Sequence, residues 1–403
     1  MKSIAAHLLA LLLVFTAFST IVPHPAASAD EIIIPDYRSI SSRRIPDNDA
    51  MRFLKEMKTG WNLGNTFDAT WHQDTYVPGD SLETSWVGTR TTPQLIQAVQ
   101  DAGFNTIRIP VSWHNHLTDE NYTIDPQWMS RVREVADYAL AGNMFVIINV
   151  HHDNDVRYFY PDEKHLDQSM RYLKAIWSQI AEAFKDCDDH LILESLNEPR
   201  LVGTSLEWWF DEGDPLFQEA AECINQLNQL FVDTIRSSGG HNATRYLSVP
   251  GYDGSPEGCT SQYFRLPEDS ADNRIIVEAH AYRPYEFALN KDNKLDTAFE
   301  DTMDDKLNDI AWFMNLLYEK YIANGIPVML DEYGALDKGG NLQSRVNFAA
   351  YYLAFARSRG ITCCWWDNHL FTGNGERFGL INRNTCEWVY PEIVQAIMLN
   401  CAE

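Results

Sequence analysis

Positive charge is scarce in this chain: 32 lysines and arginines stand against 57 aspartates and glutamates, a formal net charge of -25. A surface of that sign repels phosphate backbones, which argues against nucleic acid as a partner and favours a neutral substrate. Cysteines number seven, Cys187, Cys223, Cys259, Cys363, Cys364, Cys386 and Cys401, and none stands in CxxC or other metal-ligand spacing, so no metal site is expected. An odd count leaves at least one thiol free or paired between chains, and Cys363-Cys364, inside an apolar run, reads as small core hydrophobes. No GxGxxG follows the first strand candidate, so a dinucleotide site is not indicated. A Pro/Ser/Thr-rich linker, a low-complexity run and an internal repeat are also lacking, which favours one domain over an appended module.

Long apolar runs are equally few. One follows Lys2, from Ile4 to Ile21, and the stretch finishes Ala27-Ser28-Ala29, the small-x-small pattern of a secretory cleavage site. Residues 1–29 are therefore expected to be a secretory signal peptide and residues 30–403 a secreted catalytic domain. The apolar core from Leu8 to Phe18 is too short to span a bilayer, and nothing later in the chain could, so no membrane contact is expected after cleavage. A monomer is expected.

What is present is aromatic surface and a regular alternation. Twelve tryptophans and eighteen tyrosines exceed what a core of this size needs, and flat amphipathic rings suit a groove for sugars, although many simply pack the core. Strand-like runs fall at 60–64, 106–110, 145–150, 191–196, 246–249, 275–280, 327–332 and 361–366. Helical spacing falls between them at 93–102, 127–141, 166–184, 219–237, 297–323 and 342–359, after a polar lead-in to about residue 50. Strands alternating with helices pair in parallel through right-handed crossovers, and eight of them predict an α/β fold, a single closed (β/α)8 barrel.

In such a barrel chemistry sits at the C-terminal strand ends. Two glutamates end strands there, in Asn197-Glu198-Pro199 and Asp331-Glu332-Tyr333. Either alone reads as a surface ion pair, but two carboxyls converging on one cleft are what glycosidic cleavage requires. Arg108, inside an apolar strand, needs a partner, and a barrel-mouth carboxylate is the natural one, which Arg108 would hold and keep ionised. His151, His152 and Asp153 close the third strand; adjacent strand residues point to opposite faces, so hydrogen bonding to sugar hydroxyls is preferred over a metal chelate. His280 and Tyr282 alternate onto one face at the end of the sixth strand.

The runs Trp61-Asn62-Leu63-Gly64-Asn65-Thr66-Phe67-Asp68-Ala69, Ile107-Arg108-Ile109-Pro110, Asn149-Val150-His151-His152-Asp153, Leu196-Asn197-Glu198-Pro199, His280-Ala281-Tyr282, Leu330-Asp331-Glu332-Tyr333-Gly334 and Trp365-Trp366-Asp367-Asn368 together resemble glycoside hydrolase family 5, a retaining barrel family. The resemblance implies Glu198 as acid/base and Glu332 as nucleophile. It further implies Asn197 on the sugar 2-hydroxyl, Arg108 and Tyr282 supporting the nucleophile, His151 and His280 lining the catalytic subsite, and Trp366 as its floor. His152, Asn65 and Asp68 match sugar-binding or orienting positions. The runs at 65–69 and 113–116 are most like subfamily 4 endoglucanases, which implies a β-glucan polysaccharide substrate of the β-1,4, mixed-linkage or xyloglucan kind and no cofactor. The pair Cys363-Cys364 departs from the usual last strand and leaves open which of Trp365 and Trp366 faces the cleft. Glu198 is expected to be protonated through desolvation and repulsion by its carboxylate neighbour. Two other readings stand beside this one: a related barrel acting on mannan or β-1,3-glucan, distinguished by loop residues such as Trp71, Trp208 and Trp209, and a non-catalytic glycan-binding barrel, which would be expected to lack one glutamate.

Overall fold

All eight strand candidates form strands: β1 Thr59–Leu63, β2 Thr106–Ile109, β3 Phe145–Asn149, β4 Leu191–Glu194, β5 Leu247–Pro250, β6 Ile275–His280, β7 Val328–Tyr333 and β8 Thr362–Asp367. In this computed structural model, which describes residues 31–72 and 75–402, each pairs with the next and β8 pairs in parallel with β1 to close the barrel. The expected signal peptide lies outside the described residues. Every strand residue is buried, which is why the strands read as near-continuous apolar runs rather than alternating ones.

The helices are α1 Asp49–Glu56, α2 Pro93–Asp101, α3 Pro126–Ala141, α4 Leu166–Phe184, α5 Pro215–Ser237, α6 Pro256–Thr260, α7 Tyr285–Ala288, α8 Asp304–Lys320, α9 Leu342–Arg359 and α10 Pro391–Cys401. Four of them start the same way. Thr92, Asp125, Asp214 and Ser255 each accept a backbone N–H from the first turn, and each is followed by a proline whose fixed φ suits the first helical position. That device begins α5 at Pro215, four residues before the expected start. In contrast, α8 is shorter than the expected 297–323. Phe299, packed against Phe287 and Phe348, pins the preceding segment outside the helix, and the helix starts at Asp304-Asp305, where acidic side chains favour its positive end. The other end stops before Gly325, which is left-handed at φ 79°.

Two irregularities shape the mouth of the barrel. The β6–β7 register shifts between Ala279 and His280, and the β7–β8 register shifts between Leu330 and Tyr333. An extra residue in a ladder re-aims side chains, and here it lets the consecutive carboxyls of Asp331 and Glu332 both reach toward Arg108. At the β1–β8 seam, Asp367 accepts from Trp61 Nε1 at 3.1 Å and from the N–H groups of Leu380 and Ile381. Arg383 crosses the same seam, donating to the carbonyls of Gly64 and Asp367. All seven cysteines are unbridged, and Cys363 and Cys364 are fully buried as core residues.

Candidate active site

The barrel interior is polar where strands end. Asn62 of β1, Arg108 of β2, Glu194 of β4, Ser248 of β5, Glu278 of β6 and Asp331 of β7 are all fully buried. Arg108 organises them. Its Nε and Nη2 donate to the two oxygens of Glu194 at 2.6 Å each, Nη1 donates to Glu332 Oε1 at 2.6 Å and Asn62 Oδ1 at 3.0 Å, and Nη2 also reaches Asn197 Oδ1 at 2.7 Å. Burial works against the charge, but Glu194, Glu332 and Asp331 outweigh it and hold the guanidinium well above its ordinary pKa. The single expected carboxylate partner of Arg108 is thus two hydrogen-bonded ones, Glu194 and Glu332, with the Asp331 carboxyl a third at 3.5 Å. Glu194 carried a signal in the sequence, an acid inside an apolar strand, that complements the one Arg108 carried.

Glu332 has both oxygens fixed, one by Arg108 and the other by the Tyr282 hydroxyl at 2.8 Å. Burial and then Glu332 push the Tyr282 phenol well above its ordinary range, so it stays a donor. Glu198 faces it from the loop after β4: a Glu198 oxygen and a Glu332 oxygen lie within 4.8 Å of each other, with His280 between them. Gly254 makes that loop possible. It is left-handed at φ 57°, and a Cβ there would come within 3.0 Å of Asn197 O and 3.3 Å of Glu198 Cγ.

The protonation of Glu198 differs from expectation. His280 Nδ1 lies 2.8 Å from Glu198 Oε1 and 3.6 Å from Glu332 Oε2. Burial favours neutral forms in both partners, yet Glu332, Glu198 and Asp331 raise His280 to about 9, while the His280 hydrogen bond and the Arg200 charge lower Glu198 to about 2. In the free site the proton rests on the imidazole, because an opposite charge in hydrogen-bond contact outranks repulsion from the second carboxylate.

His151 and His152 also depart from the alternation argument. β3 ends at Asn149, so both lie past the strand, with ring centroids 4.4 Å apart. Asn149 Nδ2 donates to His151 Nδ1 at 2.9 Å and to Glu194 at 2.7 Å. Burial and His152 keep the His151 ring neutral, well below its ordinary pKa. Trp366, not Trp365, reaches the mouth: its ring lies parallel to His151 at 6.0 Å, while Trp365 is enclosed with Nε1 donating to Phe378 O. Gly64 makes room for it, since a Cβ there would sit 2.8 Å from the indole. Asp68 faces the same floor, but its carboxylate accepts the backbone N–H groups of Asn65 and Thr66, and burial raises it to about 7. Asn65 is left-handed at φ 57°, a conformation asparagine tolerates.

Among the described residues, three groupings bring metal-ligand atom types within 4.8 Å of one another: Asp68, His151 and His152; Glu198, His280 and Glu332; Glu194, Glu278 and Asp331. In the last two, His280 and Arg108 supply positive charge from within the protein. In the first, the carboxylate already accepts two backbone donors. Around the mouth, Trp71, Trp208 and Trp209 are exposed, and the Arg200 guanidinium lies 3.8 Å over the Trp208 ring while touching Glu198 at 3.4 Å.

Comparison with known proteins agrees with this geometry. Residues 72–371 match the family model described as cellulase (glycosyl hydrolase family 5). Endoglucanase B of Ruminococcus albus is 41% identical over 371 residues, covering 91% of this chain and 84% of that protein. The structure of a family 5 lichenase from Caldicellulosiruptor sp. F32 superposes with a TM-score of 0.90 at 53% identity, covering 92% of this chain and all of that one. A GH5-4 broad specificity endoglucanase from Ruminococcus champanellensis with bound cellotriose gives 0.80 at 41% identity, covering 88% of this chain and 100% of its own.

Proposed function

Since the chain belongs to glycosyl hydrolase family 5, the cellulase family, we propose that its site cleaves β-glucan by double displacement, with Glu332 as nucleophile and Glu198 as acid/base. The activity is endo-β-glucan hydrolysis. Glu332 attacks the anomeric carbon while Glu198 protonates the departing oxygen; Glu198 then deprotonates a water that attacks the same carbon, breaks its bond to Glu332 and frees the sugar. Arg108 and Tyr282 hold the attacking carboxylate from both oxygens, and Asn197, oriented by Arg108, faces the sugar 2-hydroxyl. His151, His152, Asn65 and Trp366 form the remaining walls and floor, and Asp68, fully buried, holds the Asn65 backbone in place through its carboxylate. The one-domain reading of residues 30–403, export through residues 1–29 and a monomeric state belong to the same proposal. No helix among the described residues is long and apolar enough to cross a membrane.

The observation that carries the mechanism is the approach of Glu198 and Glu332 to within 4.8 Å at their nearest oxygens. Inverting enzymes hold their carboxyls about 6.5–9.5 Å apart to admit a water, whereas retaining ones hold them about 5–5.5 Å apart. Proton NMR in the first minutes of hydrolysis, before mutarotation, is expected to show the β-anomer at the new reducing end. An initial α-anomer would remove the nucleophile assignment.

Substrate choice follows the exposed rings. Trp71, Trp208 and Trp209 offer stacking faces to a flat glucan chain. Initial rates are expected to be high on mixed-linkage β-glucan and carboxymethylcellulose, measurable on xyloglucan and negligible on mannan. A preference for mannan would sink the β-1,4-glucan assignment.

A further inference from the structure

His280 joins two carboxyls, not one. Its Nδ1 stands 2.8 Å from Glu198 Oε1, and its Nε2 stands 3.5 Å from Asp331 Oδ1. The second contact is longer than a formed hydrogen bond, yet His280 Nε2 and both oxygens of Asp331 are buried without any hydrogen-bond partner. Catalytic hydrogen bonds are often long in a free site and tighten around substrate. Asp331 is fully buried and faces Arg108 Nε at 3.5 Å, Glu194 and Glu278 within 4.8 Å, and the thiols of Cys259 and Cys364. His280 faces Glu198, Glu332, Asp331 and, further off, His151 and Asp253.

We propose that Asp331, His280 and Glu198 form a proton relay in which the imidazole passes a proton from the buried carboxyl to the acid/base carboxyl, making Asp331 a positioning residue for cleavage. The proposal rests on the acid/base role of Glu198. Two protons are shared among the three groups. With both on the imidazole, Glu198 and Asp331 are carboxylates; when Nδ1–H breaks and Glu198 O–H forms, the neutral ring keeps its Nε2–H toward Asp331 and Glu198 is armed. With one proton on Asp331 and one on Nδ1, arming takes two transfers: Asp331 O–H breaks as Nε2–H forms, and Nδ1–H breaks as Glu198 O–H forms. The count is the same in each arrangement, so arming draws no proton from water. After Glu198 protonates the leaving oxygen the set is one proton short, and the water that attacks the glycosyl-enzyme restores it.

The titration directions fit this arrangement. Burial and Glu194 push Asp331 up to about 8, and the three carboxyls around His280 bring it to about 9 against burial; since Asp331 raises His280 only as a carboxylate, the two directions describe one proton shared between them, and with the other on Nδ1 both protons stay bound through neutral pH. The active form is the one that retains them, and losing one as pH rises gives the basic limb of kcat/KM. Asp331→Asn removes the carboxyl that shares this proton with the imidazole, so the ring loses it more readily and the limb moves to lower pH, by about one unit. On substrates with poor leaving groups kcat falls about 10- to 100-fold while KM stays near its original value, part of the roughly 100- to 10,000-fold that acid catalysis supplies. Asp331→Glu, which keeps the carboxyl, restores part of both.

Repeating Asp331→Asn in a Glu198→Ala background, on aryl glycosides with good leaving groups, is the deciding measurement. No additional loss supports the relay; a further loss of about 10- to 100-fold on these same substrates overturns it, because Asp331 would then act on something other than Glu198. A Glu198→Ala protein that suffers equally on good and poor leaving groups overturns the acid/base assignment and the relay with it, and that outcome is distinct from the first two. If Asp331→Asn does not fold, 15N-histidine and 13C-carboxyl NMR of the unaltered protein still decides: Asp331 and His280 titrating as one coupled pair supports the relay, and a His280 titration that leaves the Asp331 carboxyl unmoved overturns it.

Discussion

Glu332→Gln is expected to abolish turnover, by roughly 10,000-fold or more, while the protein folds as before. The amide conserves shape and can still accept from Arg108 with its oxygen and donate to the Tyr282 hydroxyl with its nitrogen, so the change in unfolding free energy should stay within about 1–2 kcal/mol. What is lost is the lone pair that attacks the anomeric carbon. In the smaller Glu332→Ala variant, azide should enter the space left and turn aryl β-glycosides into the α-glycosyl azide, never the retained product. Steady-state rates near the parent value in Glu332→Gln would end the nucleophile assignment.

Arg108→Met should be the most damaging single change to the fold. The guanidinium is fully buried and is the charge partner of Glu194, Glu332 and Asp331 at 2.6, 2.6 and 3.5 Å. Removing one side of a buried ion pair leaves uncompensated charge and costs about 3–5 kcal/mol, and here three carboxyls lose the same partner. Activity should vanish as well, because Glu332 loses one of its two positioning donors. Arg108→Lys should recover only a fraction, since one ammonium cannot reproduce a fork that reaches Glu194 and Glu332 together with Asn62 and Asn197. Chemical denaturation with a midpoint displaced by less than the equivalent of about 1 kcal/mol would contradict this account.

The parts of the site that were legible in the sequence are those at chain punctuation. Glu198, before Pro199, stands in the loop four residues past the end of β4, Glu332 is the penultimate residue of β7, and the strands themselves showed because both faces are buried. Glu194, Glu278 and Asp331 were harder to place. A charged residue one or two positions inside a strand reads as an interruption until its partner on another strand is known, and those partners come from chain segments far apart in sequence. The bulges beside Ala279 and Leu330 were invisible, and with them the fact that Asp331 and Glu332 both reach Arg108. For His151 and His152, a strand that ends at Asn149, one residue short of the run read as 145–150, removed the alternation on which the argument depended. The sign of the Glu198 shift turned on a contact of 2.8 Å between residues 82 apart. Spacing alone does not reveal that.

The seam between β1 and β8 bears on how this chain is made. Trp61 and Asp367 are joined across 306 residues, and Gly64 and Arg383 across 319, so the first strand emerges from the ribosome long before anything it closes against. Contacts of such separation form late and slowly. Until β8 is available, β1 has an edge that pairs only with β2, and an unpaired strand edge on an apolar sheet is a template for aggregation. Yield of the active protein is therefore governed by what shields that open edge during synthesis as much as by the stability of the finished barrel.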